Sequence, residues 1–490
     1  MIDIPRVSRD GRGVLKTVVT YLVSIPKWVR VLLAVLILVG LEWIPKALLW
    51  PARVLWLLLV ISAVVSWARG IGTARRAGFG LLALLVGLAL AYLAAEAGAW
   101  ALIRMRPHLG SPPLVLTDMQ RDSIVQALSD EAAYTQLDPA LGWKPRPGSV
   151  SGDGLGHINA DGFRALRRYP RDLGGIRERV LTFGDSYTHG NDVDDAQTWQ
   201  HAAEQARPGL EMLNFGVGGY GMTQAFLRYE AEVENYEATG AILGCMTDDL
   251  RRSLNVYYPF RFSPPSLAPS ASGSPYAGLD AAGRLEFHPN PLGSPEAYRA
   301  LLEAPDETLR SLARWEALLP EPGATPLLDL WRVGGEVYAE PLETAGFWLR
   351  KQTHLLAGRR KPTLGAARRA PSVYEPGNVV FEVNLQIFER FATTARARGL
   401  KPRILWFPSP KDVAAFNRGR PEPVYAAYLA ALAERGIELV DVLTWLREDF
   451  ATAGGIDLDG AFHRGHYTPP VNARIGQRLA AMSWRIDGEG

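Results

Sequence analysis

The sequence predicts an α/β domain on a parallel sheet, preceded by membrane-spanning helices and interrupted by a large insertion. Three observations carry this prediction. From residue 179 onward short apolar runs alternate with helical stretches, the pattern of parallel strands joined by crossover helices. Three long apolar runs crowd into residues 29–105. Between about residues 255 and 375 the alternation lapses into a stretch rich in Pro, Gly and Arg, too long for a loop inside a compact domain.

The elements follow in chain order. Residues 1–28 form a basic tail, with Arg6, Arg9, Arg12, Lys16 and Lys27. Residues 29–105 carry the apolar runs. The third, "FGLLALLVGLALAYLAAEAGAWALI", is about 25 residues long, enough to cross a hydrocarbon core about 30 Å thick. Trp43, Trp50, Trp56 and Trp67 lie near the ends of the first two runs, where interfacial Trp gathers. The first run starts too late, and is followed by too many others, for a signal peptide. Three spans with the basic tail inside place the "RGIGTARRAG" loop in the cytoplasm and everything after residue 104 outside. Glu42 and Glu96 near span ends are read as reaching the interface rather than as functional intramembrane acids.

Residues 106–137 read as a connector, and residues 138–490 as the α/β domain with its insertion at about 255–375. Within that domain "RVLTFG", "LEMLNFG", "GAILGCM", "RILWFP" and "IELVDV" are predicted strands. "TWQHAAEQA", "TQAFLRYEAEVENY", "NVVFEVNLQIFERFATTARARG", "VYAAYLAALAERG" and "TPPVNARIGQRLAAMSW" are predicted helices. At 490 residues the chain exceeds one ordinary domain. A net charge of +2 gives no footprint for nucleic acid. The single Cys245 excludes an intrachain disulfide and a Cys-based zinc site.

In open α/β sheets, ligands gather beyond the carboxyl ends of the strands. The first strand ends in Gly184-Asp185-Ser186, and the second leads to Asn214, Gly216, Gly218 and Gly219. The third leads to Thr247, Asp248 and Asp249, and a late loop offers His463 and His466 just before the last helix. A serine needs an adjacent base to act as a nucleophile, and glycine amides can approach and stabilise an oxyanion. The set suits acyl transfer. "GDSYTHG" departs from G-x-S-x-G at Thr188, which disfavours the usual hydrolase elbow. Asp185 reads as a cap for the turn after it. Asp192, Asp194 and Asp195 lack the spacing of a calcium loop and read as a solvated loop, so no metal is expected. "GVGGYG" matches a dinucleotide fingerprint, but it follows the second strand where that fingerprint belongs on the first. No cofactor is expected.

These blocks resemble the SGNH (GDSL-like) hydrolase family. The matching segments are Gly184-Asp185-Ser186, "NFGVGGYG" and "GHYTPPVNARIG", and the lead-in "HINADGFR" is similar to that of membrane-anchored members. The resemblance covers roughly residues 138–262 and 376–485. It implies a flavodoxin-like three-layer α/β/α fold. It also implies Ser186 as nucleophile, His466 as base, and an oxyanion hole of the amides of Ser186 and Gly218 or Gly219. Two positions depart from the family pattern. Asp248 stands where the family has an oxyanion-hole Asn, and an ionised Asp can only accept hydrogen bonds. His463 stands three residues before His466, where the family has Asp; Asp457 and Asp459 are the nearby carboxylates that could pair with the histidine.

The reading is a serine esterase or O-acyltransferase anchored in the cytoplasmic membrane, with its catalytic domain on the outer side. Its partners would be the bilayer and an acyl, foremost acetyl, ester of an envelope glycan. The glycan follows from topology and family habit, not from a sugar-binding residue. The alternative is a degenerate SGNH domain that binds glycan or scaffolds a polysaccharide assembly. Asp248 and the missing Asp before His466 favour that alternative; Ser186, the glycines and His466 favour the enzyme.

Overall fold

The computed structural model describes residues 96–98, 116–129, 133–261, 268, 270–317, 372–420, 422–452 and 455–486. Apart from the helical residues 96–98 of the third run, the predicted spans lie outside these residues, and among the described residues no helix is long and apolar enough to cross a membrane. All described residues from 116 on belong to one compact unit, formed by residues 114–319 and 361–490.

Its centre is a sheet of five parallel strands. They are β1 Glu178–Phe183, β2 Leu210–Asn214, β3 Gly240–Met246, β4 Lys401–Phe407 and β5 Leu439–Asp441. The spatial order is β2-β1-β3-β4-β5, all parallel. This is the flavodoxin-like order, whose switch point lies between β1 and β3. The strand predictions therefore hold in number, order and direction. β1 and β3 are buried on both faces, which is why they read as continuous apolar runs rather than as alternation.

The side chains nonetheless alternate between two cores. Leu181, Phe183, Leu243, Cys245, Ile404 and Trp406 enter one, while Val180, Ile242, Leu405 and Phe407 enter the other. Helices α4 Met222–Glu232, α5 Val379–Ala397 and α6 Ala426–Glu434 close the first core. Helices α3 Trp199–Ala206, α7 Val442–Phe450 and α8 Pro469–Ala480 close the second. The result is three layers. Gly476 lets α8 lie directly on α3, since a Cβ there would overlap the Trp199 carbonyl oxygen. Cys245 is fully buried, and burial pushes its thiol well up in pKa, so it packs as an apolar residue.

Ahead of the sheet, helix α1 Asp118–Leu128 starts from a capping box of Thr117 and Gln120. An antiparallel hairpin then pairs Thr135–Asp138 with Gly142–Pro145, straddling the predicted connector boundary. The described part of the insertion holds a second hairpin, Tyr276–Leu279 with Leu285–His288, and helices Pro295–Glu303 and Pro305–Ala313. Ala277 of that hairpin joins the first core, while Ala271, Leu292, Tyr298, Leu301, Leu309 and Leu312 form a third cluster with Leu116, Ile124 and Tyr257.

Candidate active site

β1 runs into Gly184, and the chain turns at once into the short helix α2, Ser186–His189. The turn is tight because two glycines clear it: a Cβ on Gly184 or on Gly244 of β3 would overlap the Thr188 side chain. Asp185 is the N-cap, its carboxylate accepting from the Tyr187 amide at 2.9 Å and the Thr188 amide at 3.4 Å. The predicted capping role is what the structure has. Ser186 is thereby held at the head of α2, 8% exposed.

A second device brings His466. Phe462–His463 and His466–Tyr467 form a miniature hairpin with His463 opposite His466. Arg464 and Gly465 make its two-residue turn at φ 48° and 94°, as a turn with both central residues left-handed requires. Tyr187 from α2 donates its hydroxyl to the Gly465 carbonyl at 2.5 Å, and its ring packs 5.3 Å from that of His466. His466 Nε2 then lies 2.9 Å from Ser186 Oγ. His463 is exposed and pairs only through the backbone of the hairpin.

The carboxylate that meets His466 is Asp192, with Oδ2 2.6 Å from Nδ1. This corrects the sequence expectation in two ways. Asp457 caps the short helix Leu458–Ala461 by accepting from the Asp459 amide, and Asp459 is exposed. Neither contacts the histidine. The three acids at 192–195 are also not a solvated loop. Asp192 binds His466, Asp194 caps the turn Asp195–Gln197, and Asp195 is buried against Arg164 at 2.6 Å. Asp192 takes a left-handed φ of 63°, a conformation that Asp tolerates better than most residues. Nothing in the local sequence separates Asp192 from its acidic neighbours.

The loop around Asp192 is held by Arg164, the last residue of the "HINADGFR" lead-in. Its Nη1 donates to the carbonyls of His189 at 3.1 Å and Gly190 at 2.5 Å. Its Nη2 donates to Val193 at 2.7 Å and Leu155 at 3.0 Å, and its Nε to Asp195. His157, the first residue of the lead-in, binds the other oxygen of Asp195 at 2.7 Å.

Two amides near Ser186 are open. Among the described residues neither the Ser186 nor the Gly218 N–H donates a hydrogen bond. The turn that carries Gly218 is pinned beside α2: Val217 donates to the Gly184 carbonyl at 3.0 Å, and Trp143 Nε1 donates to the Gly218 carbonyl at 3.1 Å. Gly219 has a φ of 81° and sits under Trp143 and Tyr258. Asp248 is exposed, and its carboxylate has no hydrogen-bond partner among the described residues. Its neighbour Asp249 is buried, accepts from the Met246 amide at 2.9 Å and pairs with Arg252. Burial first, then the neighbouring Asp185 carboxyl, pushes Asp249 well up in pKa. Burial raises Asp185 too, with Arg252 opposing, so both carboxyls beneath Ser186 are pushed above the usual carboxylate range.

His189 was not singled out by the sequence. It is buried, with Nδ1 2.8 Å from the Gly216 carbonyl and Nε2 2.6 Å from the Tyr134 hydroxyl. A carbonyl only accepts, so Nδ1 carries the proton and Tyr134 donates to Nε2. Burial pushes its pKa down to about 3. It is a neutral strut between α2 and the glycine turn.

A cleft of about 350 Å³ opens beside Gly218, lined by Thr135, Gln136, Trp143, Tyr258, Ser272 and Tyr298 among others. Its volume is that of a small-molecule site. No group of His, Cys, Asp and Glu that could hold a metal occurs among the described residues.

No protein-family model matches the chain. No curated protein matches it. Among solved structures it is similar to a G-D-S-L family lipolytic protein from Desulfitobacterium hafniense, at 11% identity and a TM-score of 0.27, over 62% of this chain and 98% of that one. It is similar also to a member of the lipolytic protein G-D-S-L family from Veillonella parvula, at 11% identity and a TM-score of 0.24, over 62% of this chain and 95% of that one. Likeness at this level assigns no function.

Proposed function

We propose that the chain is a membrane-anchored serine esterase or O-acyltransferase of the SGNH type, with Ser186, His466 and Asp192 as its catalytic triad. One observation carries the reading: Ser186 Oγ, both nitrogens of His466 and the Asp192 carboxylate line up at 2.9 and 2.6 Å. Asp192 accepts from Nδ1–H, so Nε2 is the lone-pair nitrogen facing the serine. Ser186 Oγ attacks the acyl carbonyl as its proton passes to Nε2. The tetrahedral oxyanion rests on the Ser186 and Gly218 amides. The C–O bond to the alcohol breaks, that alcohol leaves with the proton from Nε2, and an acyl-Ser186 ester remains. Water, or an acceptor hydroxyl, then gives its proton to Nε2 and attacks the acyl carbon; the Ser186 Oγ–acyl bond breaks, and Oγ takes the proton back from Nε2.

The substrate is proposed to be an acetylated envelope glycan, reached outside the cytoplasmic membrane from the apolar region 29–105. The rival reading, a degenerate glycan-binding or scaffolding domain, keeps one observation in its favour, the carboxylate of Asp248 where the family has an amide. Its other support weakens once Asp192 supplies the acid. Hydrolysis of p-nitrophenyl acetate by the full chain in detergent tests the enzyme reading. Wild type is expected to hydrolyse it and Ser186→Ala to fall by at least 10³-fold; equal rates in both sink it. A reporter fused after residue 110 is expected to be active only outside the cytoplasm, and a cytoplasmic signal refutes the topology.

A further inference from the structure

The turn that carries Asp192 presents a second side chain of use to the same reaction. Asn191 is half-buried, and its backbone amide donates to the Ser186 carbonyl at 3.0 Å, which places it at the C-terminal end of α2, just past the Gly190 cap. Its side chain goes to Gly218: a Cβ added to that glycine would stand 3.4 Å from Asn191 Nδ2 and 3.8 Å from its Oδ1. Neither the Nδ2 nor the Oδ1 of Asn191 makes a hydrogen bond among the described residues. A neutral, unengaged carboxamide therefore lies against the glycine whose own N–H is open. Arg164 fixes the carbonyls of residues 189, 190 and 193, on both sides of Asn191 and Asp192. The amide is on a rigid mount, as a preorganised donor must be.

We propose that Asn191 Nδ2 is the side-chain donor of the oxyanion hole, in the role that Asp248 cannot fill. An Asn amide donates at any pH, whereas an exposed ionised Asp only accepts. Successive residues of one turn then serve opposite sides of Ser186: Asp192 the histidine, Asn191 the developing negative charge. The inference rests on the esterase reading above and assigns a catalytic residue to it.

The test is steady-state hydrolysis of p-nitrophenyl acetate by the full chain in detergent, in wild type, Ser186→Ala, Asn191→Ala, Asn191→Asp and Asp248→Ala. Loss of one such donor costs about 10²–10³ in kcat with a much smaller change in KM, and that is the expectation for Asn191→Ala. Asn191→Asp keeps the shape and puts a negative charge in the hole, so it is expected to lose at least as much. It also stands in if the alanine variant fails to fold. The rate of Ser186 phosphonylation by a fluorophosphonate, whose P=O oxygen occupies the same hole, is expected to fall in parallel. If Asn191→Ala and Asn191→Asp keep kcat within threefold of wild type while Ser186→Ala is inactive, the assignment of Asn191 is wrong and the esterase reading stands. A larger loss in Asp248→Ala than in Asn191→Ala also overturns it. Equal rates in Ser186→Ala and wild type instead remove the esterase reading itself.

Discussion

At the scale of single residues, Asp192 is where the chemistry and the backbone meet. Its carboxylate holds His466 in the tautomer that leaves Nε2 free for Ser186. Its left-handed φ of 63° is a cost of the order of 1 kcal/mol or less for Asp, repaid by the fixed neighbours of the turn. Asp192→Asn is nearly isosteric but can present an N–H to Nδ1, favouring the wrong tautomer. We predict that this change lowers kcat about 10³–10⁴-fold with KM little altered, read by ester hydrolysis of the full chain. A loss below tenfold contradicts the triad. Ser186 and His466 were legible in the sequence because each stands at a recognisable boundary, a strand end and the start of the last helix. Asp192 was not, because three acids in four positions look alike until their partners are known. Asp457 and Asp459 were the natural alternatives by proximity in sequence, and local capping uses the first of them.

At the scale of elements, the lead-in segment 157–164 acts on the active site without touching Ser186. His157 and Arg164 both grip Asp195, and Arg164 adds carbonyls on either side of Asp192. A lysine keeps the charge but offers a point ammonium in place of a planar fork of donors. We therefore expect Arg164→Lys to lower kcat by roughly ten- to a hundredfold, the scale at which misplaced catalytic groups cost rate. Arg164 is a positioning residue that acts through Asp192, so its effect is expected to shrink to less than threefold in an Asp192→Asn background. Additive losses in that double-mutant cycle would show that Arg164 supports only the fold. The lead-in was visible as a family-like motif; its purpose was not, since the residues it holds around Asp192 lie 25 to 38 positions further on.

At the scale of the whole molecule, burial behind the site sets a dependence of stability on pH. His189 has its pKa pushed from the ordinary 6.5 down to about 3 by burial, with Arg164 adding to the effect. The neutral form is bound in the fold while the unfolded chain takes up a proton below pH 6.5. Its contribution to stability is therefore complete above pH 6.5 and is lost as the pH falls toward 3. We predict that the urea midpoint of the wild type declines over this window more steeply than that of His189→Gln, which has no proton to gain. Parallel declines in the two proteins would mean that His189 is not held neutral. The same burial that lowers the pKa of His189 raises those of the Asp185 and Asp249 carboxyls beneath Ser186, with Arg252 opposing.

The sequence by itself determined the five-strand parallel sheet, its crossover helices and the two side chains that the fold brings to 2.9 Å, Ser186 and His466. These are local properties: strand and helix periods, a Gly-Asp-Ser turn and a histidine before a helix are each written within a dozen residues. Which carboxylate serves the histidine, which arginine holds it and which amide faces the oxyanion were decided by the tertiary structure alone. Asp192 and His466 are separated by 274 residues. They meet because the β1 turn and the loop before α8 both end at the carboxyl edge of one sheet, and no spacing along the chain records that meeting.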